Sequence, residues 1–378
     1  MKYKKIGDVC TILSGYAFDS KQFSNDPRDF PLIRIRDIVR GRTETYTKEK
    51  FDEKYIVKKG EFLIGMDGEF NIAPWNSQEA LLNQRVCKIW CSSDEVIDNY
   101  LLYFLPKALK DIESKTSFVT VKHLSVKGIN QIGIPLPPLE IQQRIAAILD
   151  TAAALLKLRQ QQLAELEALI QSVFYQMFGD INSNTMKWKE RPVNELCSEI
   201  VDCVNRTAPI CDRKTPYKMI RTSNIQNGKI NTLNVNCVEK DIYEKWIRRL
   251  KPERGDVLFT REAPLGNVGI VDTDESIFLG QRVMHYRPNM RLLNSWYFMM
   301  YLMSNDITRQ VNSLSIGSTV KHLSVDDCKK FRIKVPPLSL QTQFAAIVQK
   351  IDQQKALVQQ SIDETQTLFD SLMSQYFD

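Results

Sequence analysis

The residues best suited to chemistry in this chain lie in a seven-residue segment that occurs twice. Thr-Val-Lys-His-Leu-Ser-Val spans residues 120–126 and again residues 319–325. A histidine can exchange a proton near neutral pH and so serve as a general base. His123 and His322 each lack a convincing nucleophile or a paired carboxylate nearby in the sequence. We therefore interpret both histidines as residues that orient the chain before a strand; catalysis is the alternative interpretation.

Motifs that would support catalysis or a bound cofactor are absent from the sequence. It contains no Gly-x4-Gly-Lys-Ser/Thr loop, no Gly-x-Gly-x-x-Gly turn and no His-Glu-x-x-His helix. Leu-Pro-Pro-Leu at 136–139 lacks the amide or acid and the aromatic residue of the Asn/Asp-Pro-Pro-Tyr/Phe motif of amino-methyltransferases. The closest cysteines, Cys87 and Cys91, have no second pair to complete a zinc site. We predict no catalytic residue, no metal site and no cofactor bound by this chain.

The repeated segment belongs to a duplication that covers most of the chain. Matches continue downstream at the same offset of 199 residues, at 137–139 with 336–338 and at 146–148 with 345–347. Upstream, the offset is 187 at residues 32–34, 195 at 60–61 and 197 at 84–86. Insertions of this kind belong in exposed loops. We therefore expect two copies of one framework whose loops have diverged.

Regular apolar spacing predicts two long helices. Apolar or small residues from Leu139 to Phe178 follow the alternating three- and four-residue spacing of a coiled-coil seam, and neither Gly nor Pro interrupts them. Such a helix would reach about 60 Å, too long for one domain to enclose. Residues 338–377 repeat the pattern. We expect the two helices to pack antiparallel on each other; the alternative is that each packs on its own domain.

The other residues have the short β-favouring runs and helical patches of a mixed α/β fold. We predict two similar globular α/β domains separated by two long antiparallel coiled-coil helices, with an approximate two-fold internal repeat. The predicted boundaries are a first domain at 1–136, a first long helix at 137–180, a linker at 181–187, a second domain at 188–335 and a second long helix at 336–378.

The charge of the chain is concentrated outside the helices. The chain carries +6 in total, but residues 139–180 hold five acids and three bases, and residues 337–378 hold five acids and two bases. The remaining residues therefore carry +11, which is typical of a protein that holds a polyanion; a merely solvated surface is the alternative. No apolar run approaches the roughly 20 residues that cross a bilayer, and we expect a soluble cytoplasmic protein.

These features together resemble the specificity subunits of type I restriction–modification systems. The resemblance rests on the tandem Thr-Val-Lys-His-Leu-Ser-Val and on the segments that follow each copy. These read Ile-Pro-Leu-Pro-Pro-Leu-Glu-Ile-Gln-Gln-Arg-Ile from residue 134 and Lys-Val-Pro-Pro-Leu-Ser-Leu-Gln-Thr-Gln-Phe from residue 334, each leading into a long helix. The second copy departs from the first at the start of its helix, with Ser339 and Thr342 in place of Glu140 and Gln143.

The resemblance implies a non-catalytic subunit with several partners. Such a subunit binds double-stranded DNA at a bipartite sequence, with one recognition domain on each half-site. It recruits two methyltransferase subunits, which methylate adenine at N6 with S-adenosylmethionine bound in the methyltransferase, and a restriction and translocation subunit can join. The rival functions are a duplicated protein-interaction scaffold without DNA binding, and a nuclease or methyltransferase in its own right.

Candidate DNA contacts follow from side-chain chemistry. Arg and Asn can bind guanine and adenine edges through two hydrogen bonds, whereas Lys more often contacts phosphates. For any one candidate, a structural salt bridge or a solvated charge is the alternative. The candidates are Arg34, Arg36, Lys122, Arg221, Ser223, Asn224, Arg261 and Lys321.

Overall fold

The structure is a computed structural model that describes residues 2–68, 70–115, 123–204, 206–314 and 322–377. The first copy contains β1 Lys2–Lys5, α1 Ile6–Val9, β2 Cys10–Ser14, β3 Phe23–Ser24, β4 Phe30–Ile33, α2 Asp37–Arg40, β5 Tyr46–Thr47, β6 Ile56–Val57, β7 Phe62–Gly65, β8 Ile72–Pro74, β9 Ala80–Leu82, β10 Val86–Cys91, α3 Asp98–Lys115, α4 Val126–Asn130, β11 Gly133–Leu136 and α5 Leu139–Phe178.

The second copy repeats most of this order. It contains β12 Lys189–Pro192, β13 Cys197–Asp202, β14 Lys218–Ile220, β15 Ile225–Gln226, β16 Lys229–Ile230, β17 Asn236–Cys237, α6 Lys240–Trp246, β18 Val257–Arg261, β19 Leu265–Ile270, β20 Ile277–Leu279, β21 Val283–Pro288, α7 Ser295–Leu302, α8 Asn305–Leu314, α9 Val325–Lys329, β22 Arg332–Val335 and α10 Leu338–Phe377. Single 3₁₀ turns lie at Ser20–Gln22, Glu53–Tyr55, Val193–Glu195 and Thr222–Asn224.

The chain divides into two compact units, and each long helix contributes to both. Unit 1 comprises residues 1–160 and 360–378, and unit 2 comprises residues 161–359. Each unit therefore contains one domain, half of α5 and half of α10. This confirms the predicted mixed α/β class with two similar domains and two long helices.

The two domains share the same sheet framework. Unit 1 has a four-stranded antiparallel sheet in the order β2-β10-β7-β8, and unit 2 has the equivalent sheet β13-β21-β18-β19. A second sheet in each unit contains a parallel pair, β4 with β9 in unit 1 and β14 with β20 in unit 2. Strands β7 and β18 are buried along their whole length, since each lies between neighbouring strands and is apolar throughout most of its sequence.

Within each unit the two helix halves run antiparallel. In unit 2, Glu167 lies 3.2 Å from Lys355, and Phe178 packs on Phe344 with ring centroids 5.4 Å apart. In unit 1, the Arg159 guanidinium donates to the Ser361 carbonyl and to the Thr365 hydroxyl. The residue numbers in α10 fall as those in α5 rise. The helices also pack on the domains, because Ile145, Leu149 and Phe377 join the unit 1 core.

Equivalent residues fix where each helix begins. Both helices start after a Pro-Pro pair, whose missing N–H groups suit the first turn. The buried Gln142 amide donates to the Pro137 carbonyl and accepts from Ile97 N–H, while Gln341 makes the matching bonds with Pro336 and Asn294. These bonds attach the start of each helix to its own domain.

The helix α5 ends at a glycine. Gly179 has φ 71°, in the left-handed region, and its N–H donates to the Tyr175 carbonyl at 2.8 Å. A glycine in this conformation closes a helix with little strain. Among the helices that the structure describes, none combines the length and apolar character that crossing a membrane requires.

Candidate nucleic-acid interface

Three strand ends meet at one surface of unit 1. The parallel register of β4 and β9 pairs Ile33 with Leu82, so residues 34–36 and 83–85 leave the sheet at the same edge. The end of β7 joins them, because Met66 N–H donates to the Arg85 carbonyl at 3.0 Å. We call this surface the strand-end surface of unit 1: residues 34–37, 66–67 and 83–85.

Four exposed arginines lie at or beside this surface. Arg34 and Arg36 follow β4, and Arg40 and Arg42 lie at the end of α2 and just beyond it. Three of them line an open cleft of about 400 Å³, together with Asp37 and Glu44. Such a cluster of guanidinium groups can bind phosphates or the acceptor edges of bases.

Unit 2 builds the same surface from equivalent residues. Strands β14 and β20 are parallel, and Ile220 pairs with Leu279, so Arg221 and Arg282 leave the sheet at one edge. The end of β18 joins them, because Arg261 N–H donates to the Arg282 carbonyl at 2.8 Å. The strand-end surface of unit 2 is formed by residues 221–224, 261–262 and 280–282.

A buried cap shapes the first turn of each surface. In unit 1 the Asp37 carboxylate accepts from Arg34 N–H at 2.9 Å, and in unit 2 the Asn224 side-chain oxygen accepts from Arg221 N–H at 3.0 Å. Side chains that cap a main-chain N–H in this way stabilise tight turns. The structure does not support Asn224 as a base contact, since the residue is buried and its oxygen is used in this cap.

Arg261 is also structural. Its side chain is buried, and its Nη1 donates to the Leu323 carbonyl at 3.1 Å while its own carbonyl accepts from Leu323 N–H. The equivalent Met66 carbonyl accepts from Leu124 N–H at 2.7 Å. Arg261 therefore anchors the chain next to His322 with its side chain buried, and its predicted contact with DNA stays a prediction.

The other predicted contacts fall into two groups. Arg34, Arg36, Arg221 and Ser223 are exposed on the strand-end surfaces, where a large ligand can reach them. Strand β4 ends at Ile33, so Arg34 and Arg36 lie in the turn that follows it. Lys122 and Lys321 lie outside the described residues.

Sequence reasoning missed an ion pair that occurs in both units. Arg85 Nη1 lies 2.5 Å from a carboxylate oxygen of Asp67, and Arg282 pairs with Glu262 in the same way. His123 Nδ1 also lies 2.6 Å from Asp67, a carboxylate distant in sequence. The sequence did contain a signal for these arginines, because Gln-Arg-Val occurs at both 84–86 and 281–283.

Charged side chains, buried in unit 2 and half-buried in unit 1, support the strands behind each surface. Glu61, at the start of β7, pairs with Lys88 at 3.1 Å, and the equivalent Asp256 lies 2.6 Å from His285 and 2.8 Å from Arg287. Burial raises the pKa of Asp256, but hydrogen bonds from Arg287 and His285 outweigh it and hold that pKa below its usual value. Asp256 is therefore a charged member of the framework.

The described residues contain no cluster of three or more His, Cys, Asp or Glu side chains suited to a metal ion. What the strand-end surfaces offer is a set of exposed guanidinium and hydroxyl donors on rigid turns. Such donors can recognise an anionic polymer; among the described residues we find no nucleophile with a general base beside it on either surface.

Comparison with known proteins shows that the chain matches a protein family. The model of the type I restriction modification DNA specificity domain matches residues 1–168 and again residues 187–366. The specificity subunit of the type I restriction enzyme EcoBI from Escherichia coli is 28% identical over 369 residues, covering 91% of this chain and 77% of that protein.

Solved structures show the same fold. The S subunit of a type I restriction–modification system from M. genitalium matches with a TM-score of 0.59 at 13% identity, covering 100% of this chain and 96% of that chain. A chain from structural work on complex assembly and conformational transition of the type I R-M system matches with a TM-score of 0.57 at 15% identity, covering 100% and 97%.

Proposed function

This chain belongs to the type I restriction–modification DNA specificity family, and from that premise we propose that each of its two specificity domains reads one half of a bipartite duplex sequence. The proposal makes the chain the sequence-reading subunit of a DNA-modifying complex. Each half-site would be read independently, because each strand-end surface is built within a single unit.

One observation carries the proposal: the two surfaces share a framework but expose different side chains. The caps Asp37 and Asn224 occupy equivalent places, yet the residue before each cap is Arg36 in unit 1 and Ser223 in unit 2. Arginine favours guanine, whereas serine donates to or accepts from several bases. Two copies of one scaffold would thus select different base sequences.

Phosphate contacts would supply most of the affinity. Exposed arginines such as Arg40 and Arg42 can neutralise backbone charge without reading sequence. Lys122 and Lys321 belong to this group in the prediction from sequence.

Two methyltransferase subunits would join the chain, one at each unit. Exposed leucines support this number, since Leu158 in unit 1 and Leu357 in unit 2 occupy equivalent positions on α5 and α10 and are 62% and 65% exposed. Leu169 and Leu368 form a second equivalent pair, at 44% and 55%. Exposed apolar side chains at equivalent places suit two copies of one partner.

The chemistry would belong to those partners. We propose that they methylate adenine at N6 with S-adenosylmethionine, that a restriction and translocation subunit can join them, and that this chain itself catalyses no step. The complex would act in the cytoplasm, where it has access to the chromosome.

Genome-wide detection of methylated adenine tests the proposed function. Deleting the gene for this chain should abolish methylation of one bipartite motif, and expressing the chain again should restore that motif. Methylation that persists without the chain would contradict the proposal and favour a protein-interaction scaffold. Methylation by the purified chain alone would instead show an enzyme.

A further inference from the structure

An arginine held by a carboxylate stands at the same place in each unit. In unit 1 the Arg85 guanidinium pairs with Asp67, and in unit 2 the Arg282 guanidinium pairs with Glu262. The two carboxylate side chains are largely buried, whereas the arginine side chains are about half exposed, at 54% and 46%. Each pair thus has a fixed inner partner and an outer partner that solvent can reach.

The backbone places both arginines on the strand-end surfaces. Each arginine follows a parallel strand by three residues. Its carbonyl oxygen accepts from the N–H of the residue just before its carboxylate partner, Met66 in unit 1 and Arg261 in unit 2. A Cβ added to Gly280 would lie 3.3 Å from Arg221 Cγ, so the turn that carries Arg282 packs directly beside Arg221. The ion pair of unit 2 therefore stands next to Arg221, one of the proposed DNA contacts.

The conformation of Arg282 is unusual. Its φ is 68°, in the left-handed region that residues other than glycine, asparagine and aspartate seldom adopt. A glycine would relieve this strain, but it would also remove the guanidinium from the surface. Strained backbone of this kind is concentrated at functional sites.

The pairing leaves much of each guanidinium available. In the part of the chain that the structure describes, the carboxylate is the ion-pair partner of each guanidinium, and its closest contact is with Nη1 in both pairs. Arginine has five N–H donors in one plane, so a single carboxylate does not occupy them all. A phosphate contact needs only a positive charge, and a nearby carboxylate would weaken it. Two hydrogen bonds to guanine O6 and N7 need an oriented plane, which the carboxylate supplies.

We propose that Arg85 and Arg282 each read a guanine in the half-site of their own unit, and that Asp67 and Glu262 are positioning residues that orient the two guanidinium groups. This inference rests on the proposed function, because it assumes that the strand-end surfaces face DNA. It assigns the base contact to a residue pair that both copies share.

Binding of the full chain, purified from its host with the subunits that accompany it, tests the inference. Duplexes carry the methylated motif or each single-base change within it. Arg85→Ala should lower the preference for one guanine in one half-site by roughly tenfold to 100-fold, and should leave the other half-site unchanged. Arg282→Ala should do the same in the opposite half-site.

The carboxylates provide a second readout that a merely structural pair would not change. Asp67→Asn and Glu262→Gln should weaken the same single-base preference, while binding to unrelated duplexes stays equal or becomes stronger because a negative charge is lost. Asp67→Glu should restore part of the preference. Matched controls are Arg28→Ala and Arg213→Ala, which remove exposed arginines that precede β4 and β14 and pair with Asp26 and Glu239. Neither variant should change base preference.

The results that would overturn this inference differ from the result that would refute the proposed function. Equal weakening on every duplex by Arg85→Ala would make the residue a phosphate contact and overturn the inference. An unchanged base preference with a lower unfolding midpoint would make the pair structural and also overturn it. A wild-type complex that binds no duplex would refute the proposed function itself.

Discussion

Asp256 shows how a single residue can hold a strand in place behind the interface. Its carboxylate accepts from Glu253 N–H at 2.8 Å and from the Arg287 guanidinium, and it lies beside His285. Glu61 has the same roles in unit 1, where it accepts from Lys58 N–H at 2.7 Å and pairs with Lys88. Both copies thus keep an acid at the start of the central strand and a base on the neighbouring strand.

Replacing Asp256 should destabilise unit 2 in a pH-dependent way. Asp256→Asn leaves Arg287 without its buried counter-charge, and we expect a loss of about 3 kcal/mol in the free energy of unfolding at pH 7. Because the pKa of Asp256 is lowered in the folded state, its stabilisation is complete above the ordinary value of about 4 and is lost as pH falls through the lowered value. Urea denaturation should therefore show the gap between wild type and variant narrowing below about pH 4.

An exposed carboxylate supplies the control for that measurement. Asp241 pairs with Lys245 one turn away on α6 and is largely exposed. Asp241→Asn should change the free energy of unfolding by less than about 0.5 kcal/mol. A gap for Asp256→Asn that is the same at pH 3 and pH 7 would contradict the assigned role.

Sequence reasoning at the residue scale placed the candidates at strand ends but did not show which of them are exposed. Arg34, Arg36 and Arg221 are exposed as a DNA contact requires. Arg261 and Asn224 are buried, because one occupies the last position of a covered strand and the other closes a turn. Residue type and spacing do not reveal which side of a turn a side chain takes; that depends on residues far away in sequence, such as Leu323 for Arg261.

The long helices are the elements whose extent was most predictable. An apolar seam without Gly or Pro predicted residues 139–178 and 338–377, and α5 and α10 have those bounds. Arg159 is a polar residue within this seam, and its bonds to Ser361 and Thr365 can fix the register of the two helices. The short strands were less predictable, since their pairing depends on contacts between distant segments.

Lengthening a helix should change the spacer length of the recognised DNA sequence. Inserting four residues near Leu163, just over one helical turn, should alter the number of base pairs between the half-sites and leave both half-site sequences intact. The reason is that the strand-end surfaces lie outside the helices. Methylome sequencing of cells with the variant provides the measurement, and an unchanged spacer would count against the helices as its determinant.

Exposed leucines on the helices should determine how many methyltransferase subunits bind the chain. Leu158→Gln in unit 1 should remove one methyltransferase subunit, because a polar side chain opposes burial in an apolar contact. Leu357→Gln should remove the other, and the double variant should bind neither. Native mass spectrometry of the purified complex counts the subunits. Loss of both subunits from either single variant, or of none from the double variant, would contradict one partner at each unit.

The chain joins two similar domains to a common pair of long helices, half of each helix belonging to each unit. The family match covers both domains, which agrees with the duplication seen in the sequence. The domain boundaries at 136, 180, 188 and 335 remain predictions. The offset between the copies grows between residues 38 and 60, and the two units differ there. Unit 1 has β5 and β6, whereas the corresponding part of unit 2 has β15, β16, β17 and α6.

Salt should weaken DNA binding by the assembled complex. Each phosphate neutralised by the protein contributes a slope of about −0.9 to log K against log salt concentration. Lys122→Ala or Lys321→Ala should reduce the slope by roughly one and weaken all sequences alike. Fluorescence anisotropy over a range of salt concentrations measures this. A changed base preference with an unaltered slope would assign the lysine to base readout.

Exchanging one domain should exchange one half-site. Replacing residues 1–136 with the equivalent domain of a related subunit should change one half of the methylated motif and leave the other half unchanged, because each surface is built within its own unit. The helices that we propose to bind the methyltransferases are retained, so the hybrid should still be active. Methylome sequencing tests this, and a motif altered in both halves would falsify independent readout.

The division of each helix between the units has a consequence for biosynthesis. Tyr100 and Phe104 pack against Phe377, and Tyr103 packs against Phe369, so the core of unit 1 is closed by residues that the ribosome adds after all of unit 2. Contacts between segments so far apart in sequence form slowly. During translation, an apolar face of the first domain therefore stays exposed to solvent until α10 has been synthesised. This makes the first domain the part of the nascent chain most dependent on chaperones.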